Sequence, residues 1–131
     1  MHVDQVVAVD GVLSGLTHLH AGVPQGAILS PLLFSLYMND ISSSNTAQIN
    51  LFADDTSLFV TSPSASVLVE HLQVAINVVA AWFSKWLLTV NSAKSAVMVL
   101  RSARMKPVSA DIFIDNEKLP LVTSHRHLGL I

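Results

Sequence analysis

Between positions 66 and 88, apolar residues recur every three or four positions. Leu68, Leu72, Ile76, Val79, Phe83 and Trp86 fall along one face, which predicts a long helix with one strongly apolar side. A shorter helix is predicted over residues 31–41. Ser30 followed by Pro31 reads as an N-cap and first helical residue, because the first turn leaves the amide that Pro lacks unused. Leu32, Leu33, Phe34, Leu36, Tyr37, Met38 and Ile41 cover most of that helix's circumference, which predicts burial between other elements. The remaining segments read as strands. VDQVVAV (3–9) alternates like an edge strand, and GVLSG (11–15) turns the chain. AQINLFADDTSLFVT (47–61) reads as two short strands folded back on each other near residues 53–56. SAVMVL (95–100) is β-branched enough for a strand, and ADIFIDNEKLPLV (110–122) is a hairpin with Asp115-Asn116 at its turn. HRHLGLI (125–131) continues as a strand.

This order predicts an α+β architecture, a mainly antiparallel sheet with two helices packed on one face. A chain of 131 residues suits one domain and is short for two. Composition sharpens the picture. Charged residues make up 12%, about half the usual share, while 51% are apolar. Such a chain has more apolar surface than polar cover, as expected of a core segment that other domains normally shield. The net charge of −2 decides nothing about nucleic acid. Without cysteine, disulfides and thiolate metal sites are excluded. The opening MHVDQVVAVD lacks the order of a signal peptide, which predicts an intracellular protein, nuclear or cytoplasmic. Residues 67–88 are interrupted by Glu70, His71, Gln73, Asn77, Ser84 and Lys85, so a buried helix is expected there and no membrane partner.

The candidate chemistry centres on LFADDTSLF, where Asp54 and Asp55 stand side by side between apolar runs. One reading is local, since Asp is a favoured turn residue. The other is chemical: a tight hairpin turn can hold carboxylates at the rim of a sheet, where hard divalent cations take oxygen ligands. Two-metal phosphoryl transfer needs such a cluster and at least one further carboxylate from another strand. Among other polar residues, His18 and His20, like His125 and His127, have HxH spacing without a supporting ligand cluster. Trp82 and Trp86 fall on neighbouring helical turns and fit core packing.

Four segments in register, AGVPQGAILSPLLFSLYMNDI, LFADDTSLF, WFSKWLLTVNSAKSAVMVL and HLGLI, resemble the palm of reverse transcriptases of non-LTR (LINE-type) retrotransposons. The resemblance implies an RNA-directed DNA polymerase, with Asp54 as the principal Mg²⁺ ligand and Asp55 as the second acid; Mn²⁺ is the alternative ion. It places Pro24, Gln25 and Gly26 of the motif B loop, with Phe52 and Ala53, beside nucleotide and template. It makes Lys94 the proton donor to the leaving pyrophosphate, and Leu128 and Gly129 part of the primer grip. The implied partners are an RNA template, a DNA primer and deoxynucleoside triphosphates. Fingers and thumb would cover the apolar faces.

The family's motif A aspartate lies on a strand well upstream of the GVPQG loop. Asp4 and Asp10 match the strand and turn just before motif B, so neither takes that role. Motif A, fingers and thumb are therefore expected outside this sequence, and the chain alone is expected to be inactive. Two functions fit: a segment of an active polymerase, or a catalytically inactive retroelement remnant serving as a binding module for nucleic acid or protein.

Overall fold

The computed structural model describes residues 3–19, 26, 28–41, 44–102 and 107–126. It divides into two compact units, residues 1–39 and 40–131. The α+β class is as predicted. The described strands, however, form five separate two-stranded ladders in place of one sheet, four antiparallel and one parallel.

In the first unit, β1 (Val3–Gln5) pairs antiparallel with β4 (Thr17–Leu19), and β2 (Ala8–Val9) with β3 (Val12–Leu13). The single edge strand expected over residues 3–9 is thus broken, and the reversal falls at Asp10-Gly11, ahead of its expected place. The reason is local. Asp10 (φ +48°) and Gly11 (φ +80°) are both left-handed, as a type I′ hairpin turn requires, and Asp-Gly is a favoured pair for it. The ladder then stops at Val7, whose amide donates to the Ser14 hydroxyl (2.9 Å) while Ser14 N–H returns a bond to the Val7 carbonyl (2.8 Å). Asp4 and His18 stand opposite each other on β1 and β4, and His18 Nδ1 bonds the Asp4 carboxylate.

Helix α1 (Ser30–Tyr37) is shorter than expected and starts one residue earlier. Leu29, not Ser30, is the N-cap: it already has helical φ/ψ, and its carbonyl accepts from Leu33 N–H at 2.9 Å. The helix ends where Asn39 N–H bonds back three residues to Leu36 (3.3 Å), before the turn-forming Asn39-Asp40 pair. The burial expected for this helix is found only in part: Ser30 and Met38 are buried and Phe34 is half-buried. Leu32, Leu33, Leu36 and Tyr37 are exposed.

The second unit is built on α2 (Ala65–Lys85), within a residue or so of its expected start and three short of its expected end. Ile76 and Val79 of the predicted apolar face are buried, with Leu68, Leu72, Phe83 and Trp86 half-buried, and Ala75 and Trp82 are buried beside them. The helix packs on β6 (Asp55–Phe59) and β8 (Phe113–Ile114). Ile76 joins Val97, Ala110, Ile112 and Leu119 in one core, against which Leu58, Val69, Leu72, Val108 and Ile114 pack. By length and composition α2 would also suit a membrane span. Its buried residues pack against β6 and β8 in this structure. Trp82 meets Phe83 edge-on at 5.6 Å and Trp86 at 5.8 Å, consistent with packing.

Around α2, β8 and β9 (Glu117–Lys118) make the predicted hairpin, with Asp115 (φ +46°) and Asn116 (φ +66°) as another type I′ turn. β7 (Val97–Met98) pairs in parallel with β10 (Leu121–Val122). A side chain completes the edge of β8: Gln73 Oε1 accepts from Phe113 N–H and Gln73 Nε2 donates to the Phe113 carbonyl, both at 2.9 Å. The amide of α2 thereby substitutes for a neighbouring strand.

The end of α2 carries strain. Leu88 N–H reaches the Phe83 carbonyl (2.9 Å) and Leu87 N–H the Ser84 carbonyl (3.2 Å), the two bonds of a Schellman cap. That cap holds Leu87 at φ +57°, a conformation usually left to glycine, and the residue is 93% exposed.

Two outcomes follow for stability. Leu87→Gly should raise stability by about 1 kcal/mol, because it removes a left-handed penalty of about 1–2 kcal/mol without giving up packing. A melting-temperature rise of about 3–5 °C would be the readout, and no rise would refute the strain. Gln73→Ala should lower the urea midpoint by an amount equal to about 1–2 kcal/mol, the low end for two lost bonds because Phe113 is itself half-exposed. An unchanged midpoint would show that water replaces the amide without cost.

Candidate active site

The Asp54-Asp55 pair sits on the hairpin formed by β5 (Gln48–Phe52) and β6. Phe52 pairs with Asp55, leaving Ala53 and Asp54 as a two-residue turn at the expected reversal. Of these two only Ala53 has positive φ (+51°), the sign pattern of a type II′ turn whose first position favours glycine. Alanine there costs about 1–2 kcal/mol, strain of the kind that collects at functional sites.

Alternation along the strands divides the hairpin into two faces. Ile49 and Leu51 stand opposite Leu58 and Thr56, and Leu58 packs into the core beside α2. Gln48, Asn50 and Phe52 stand opposite Phe59, Ser57 and Asp55 on the other face. Phe52 (62% exposed) and Phe59 (50%) are open to solvent there. Asp55 therefore projects from the face turned away from the core, and Asp54 occupies the tip. Both are exposed, and neither accepts a hydrogen bond or ion pair from a described residue. Two adjacent unpaired carboxylates concentrate negative potential at the tip, which a divalent cation would relieve. Their oxygens suit a hard ion. They do not complete a site: among the described residues no group of three or more His, Asp or Glu converges.

Lys94 closes a single 3-10 turn, Ser92–Lys94, and is exposed. The structure brings its ammonium into no ion pair with Asp54 or Asp55. Gly26 is left-handed (φ +83°), and a Cβ there would meet nothing within 4 Å. Backbone conformation, not lack of space, explains this glycine. Pro24, Gln25, Leu128 and Gly129 lie outside the described residues.

Two features near the hairpin escape sequence reasoning. The Thr56 hydroxyl, directly after the aspartates on the core side, is buried and finds no partner among the described residues. The Gln73 clamp on Phe113 joins residues 40 apart, and nothing in the helical pattern marks Gln73 as more than a polar interruption.

Residues 3–129 match the family described as reverse transcriptase (RNA-dependent DNA polymerase). A probable RNA-directed DNA polymerase from transposon BS of Drosophila melanogaster is 30% identical over 120 residues, covering 86% of this chain and 13% of that protein. The RNA-directed DNA polymerase from mobile element jockey of Drosophila funebris is 28% identical, covering 95% of this chain and 14% of its own length. A probable RNA-directed DNA polymerase from transposon X-element of Drosophila melanogaster is 28% identical over 85% of this chain and 13% of its own. No solved structure matches the chain. The chain thus spans about an eighth to a seventh of the length of these relatives. With a family match along nearly the whole chain and an FADD tip on a strained hairpin, the chain belongs to the reverse transcriptases, among those of non-LTR retrotransposons.

Proposed function

We propose that this chain is part of the palm of a retrotransposon RNA-directed DNA polymerase, and that the tip of the β5–β6 hairpin serves Mg²⁺-dependent nucleotidyl transfer in the full-length enzyme. The family as a whole works with a divalent metal, a nucleic acid template and nucleotide substrates. The observation that carries the reading is the pair of exposed, unpartnered carboxylates at a hairpin tip, inside the FADD segment of a chain matching that family. In this reading Asp54 is the principal ligand and Asp55 the second. A third carboxylate comes from motif A of the full-length polymerase. When bound, the metal lowers the pKa of the primer 3′ hydroxyl and neutralises charge on the triphosphate.

The remaining roles belong to the chain's own groups. Phe52, beside Asp55 on the open face, and Ala53 at the turn contact the nucleotide and the template. Pro24, Gln25 and Gly26 line the templating base pair, where a Gln amide can both donate and accept. Leu128 and Gly129 steady the primer. Lys94 donates a proton to the leaving pyrophosphate. RNA template, DNA primer and deoxynucleoside triphosphates are the partners.

Primer extension on an RNA template tests this. The isolated chain should not extend a primer, because a ligand and the groups that align the 3′ hydroxyl are lacking, and positioning alone is worth about 7–11 kcal/mol. In a full-length polymerase carrying this segment, Asp54→Ala should lower the rate by on the order of a thousandfold or more, and Lys94→Ala by about a hundredfold. Extension that survives Asp54→Ala would overturn the assignment. A full-length enzyme that never extends would favour the inactive remnant.

A further inference from the structure

The turn that carries Lys94 is held internally by short-range bonds. Lys94 N–H meets both Asn91 Oδ1 (3.2 Å) and the Asn91 carbonyl (3.1 Å). Ser95 Oγ donates to the same carbonyl (2.9 Å), and Ser95 N–H to the Ser92 carbonyl (3.0 Å). Every one of these partners lies within four residues in sequence. A single 3-10 turn with only such bonds is marginal, since few contacts repay the cost of fixing its backbone. Among the described residues, one hydrogen bond ties residues 91–95 to the rest of the fold: Ser92 Oγ donates to Glu117 Oε2, 25 residues along the chain.

Glu117 is well placed to act as an anchor. It stands opposite Ile114 beside the left-handed Asp115-Asn116 turn. The base of that hairpin is closed by Leu119 N–H on the Ile112 carbonyl (2.8 Å), between a fully buried Ile112 and a buried Leu119. Gln73 grips its other edge at Phe113. The same helix, α2, packs on β6, which begins with Asp55. A continuous series of contacts thus runs from the aspartate hairpin through α2, Gln73 and β8–β9 to Glu117, and from there to the Lys94 turn.

We propose that Glu117 is a positioning residue for Lys94, fixing its turn to the scaffold that also carries Asp55 by accepting the Ser92 hydroxyl. This rests on the reading of Lys94 as the proton donor. The chemistry requires an acceptor at position 117 and a donor at position 92, not a charge, so Gln should substitute for Glu and Ala should not.

Amide hydrogen exchange on the chain itself tests the anchor. Glu117→Ala and Ser92→Ala should each speed exchange at Lys94 and Ser95 by about three- to tenfold, with the α2 amides unchanged, and Glu117→Gln should stay within about twofold of the parent. Unchanged exchange in Glu117→Ala, acceleration throughout residues 40–131, or a Gln variant as fast as the Ala variant would each overturn the proposal. Primer extension by a full-length polymerase carrying this segment tests the function. There Glu117→Ala should lower kcat about three- to tenfold with KM unchanged, and should lower it no further in a Lys94→Ala background. If Lys94→Ala alone has no effect, the proton-donor reading fails and the proposal with it. If Lys94→Ala slows the enzyme but Glu117→Ala does not, or slows both backgrounds equally, the proposal alone fails.

Discussion

Burial of one stripe of α2 against two hairpins holds residues 40–131 together. Ile76 and Val79 are nearly inaccessible, and Ile76 sits in the same core as Val97, Ile112 and Leu119, with Leu58 of the aspartate hairpin packed against it. A fully buried aliphatic side chain contributes about 1.5–3 kcal/mol, more than any exposed ion pair such as Lys118–Asp111 can offer. The strands are too short to form stable ladders by themselves; a two-residue pair such as β8–β9 persists because its inner side chains meet this helix. Since Leu58 and Thr56 face inward, alternation leaves Asp55 and Phe52 on the open face. The register that satisfies the core is the register that exposes the acid.

That constraint also explains where strain is tolerated. Ala53 and Leu87 are both left-handed without being glycine, one at the hairpin tip and one at the end of α2. Leu87 follows the packed helix α2, and Ala53 is held by the β5–β6 ladder on either side of it. The polar ties add fixed points to that core. Gln73 fixes the edge of β8, and Ser92 to Glu117 fixes the turn beside it. Apolar surface left outside the core is considerable, with Leu32, Leu33 and Leu36 of α1 exposed alongside Phe52 and Phe59 of the hairpin.

Much of this was legible in the sequence for identifiable reasons. Helical periodicity over many residues placed α2 to within a few positions, and Asp115-Asn116 marked its hairpin because left-handed turns favour those residue types. The Asp54-Asp55 reversal was legible because apolar runs bracket it. Burial of α1 was legible only in part, at Ser30 and Met38: an apolar circumference reports what a helix can bury, not what is present to cover it. Reading residues 3–9 as one strand missed the stronger signal of Asp10-Gly11. The Gln73 and Glu117 ties were invisible, since their partners lie 40 and 25 residues away and no local pattern records them. The family's four segments in register located the candidate acids; side-chain geometry then showed which face they occupy.

The most direct measurement is a Mn²⁺ titration of the chain followed by NMR, since Mn²⁺ takes the same oxygen ligands as Mg²⁺ and broadens signals near it. Weak binding should broaden the amide signals of residues 53–56 first, and Asp54→Asn with Asp55→Asn should abolish the effect while leaving the α2 signals in place. Broadening centred elsewhere, or unchanged in the double variant, would contradict a metal site at this hairpin.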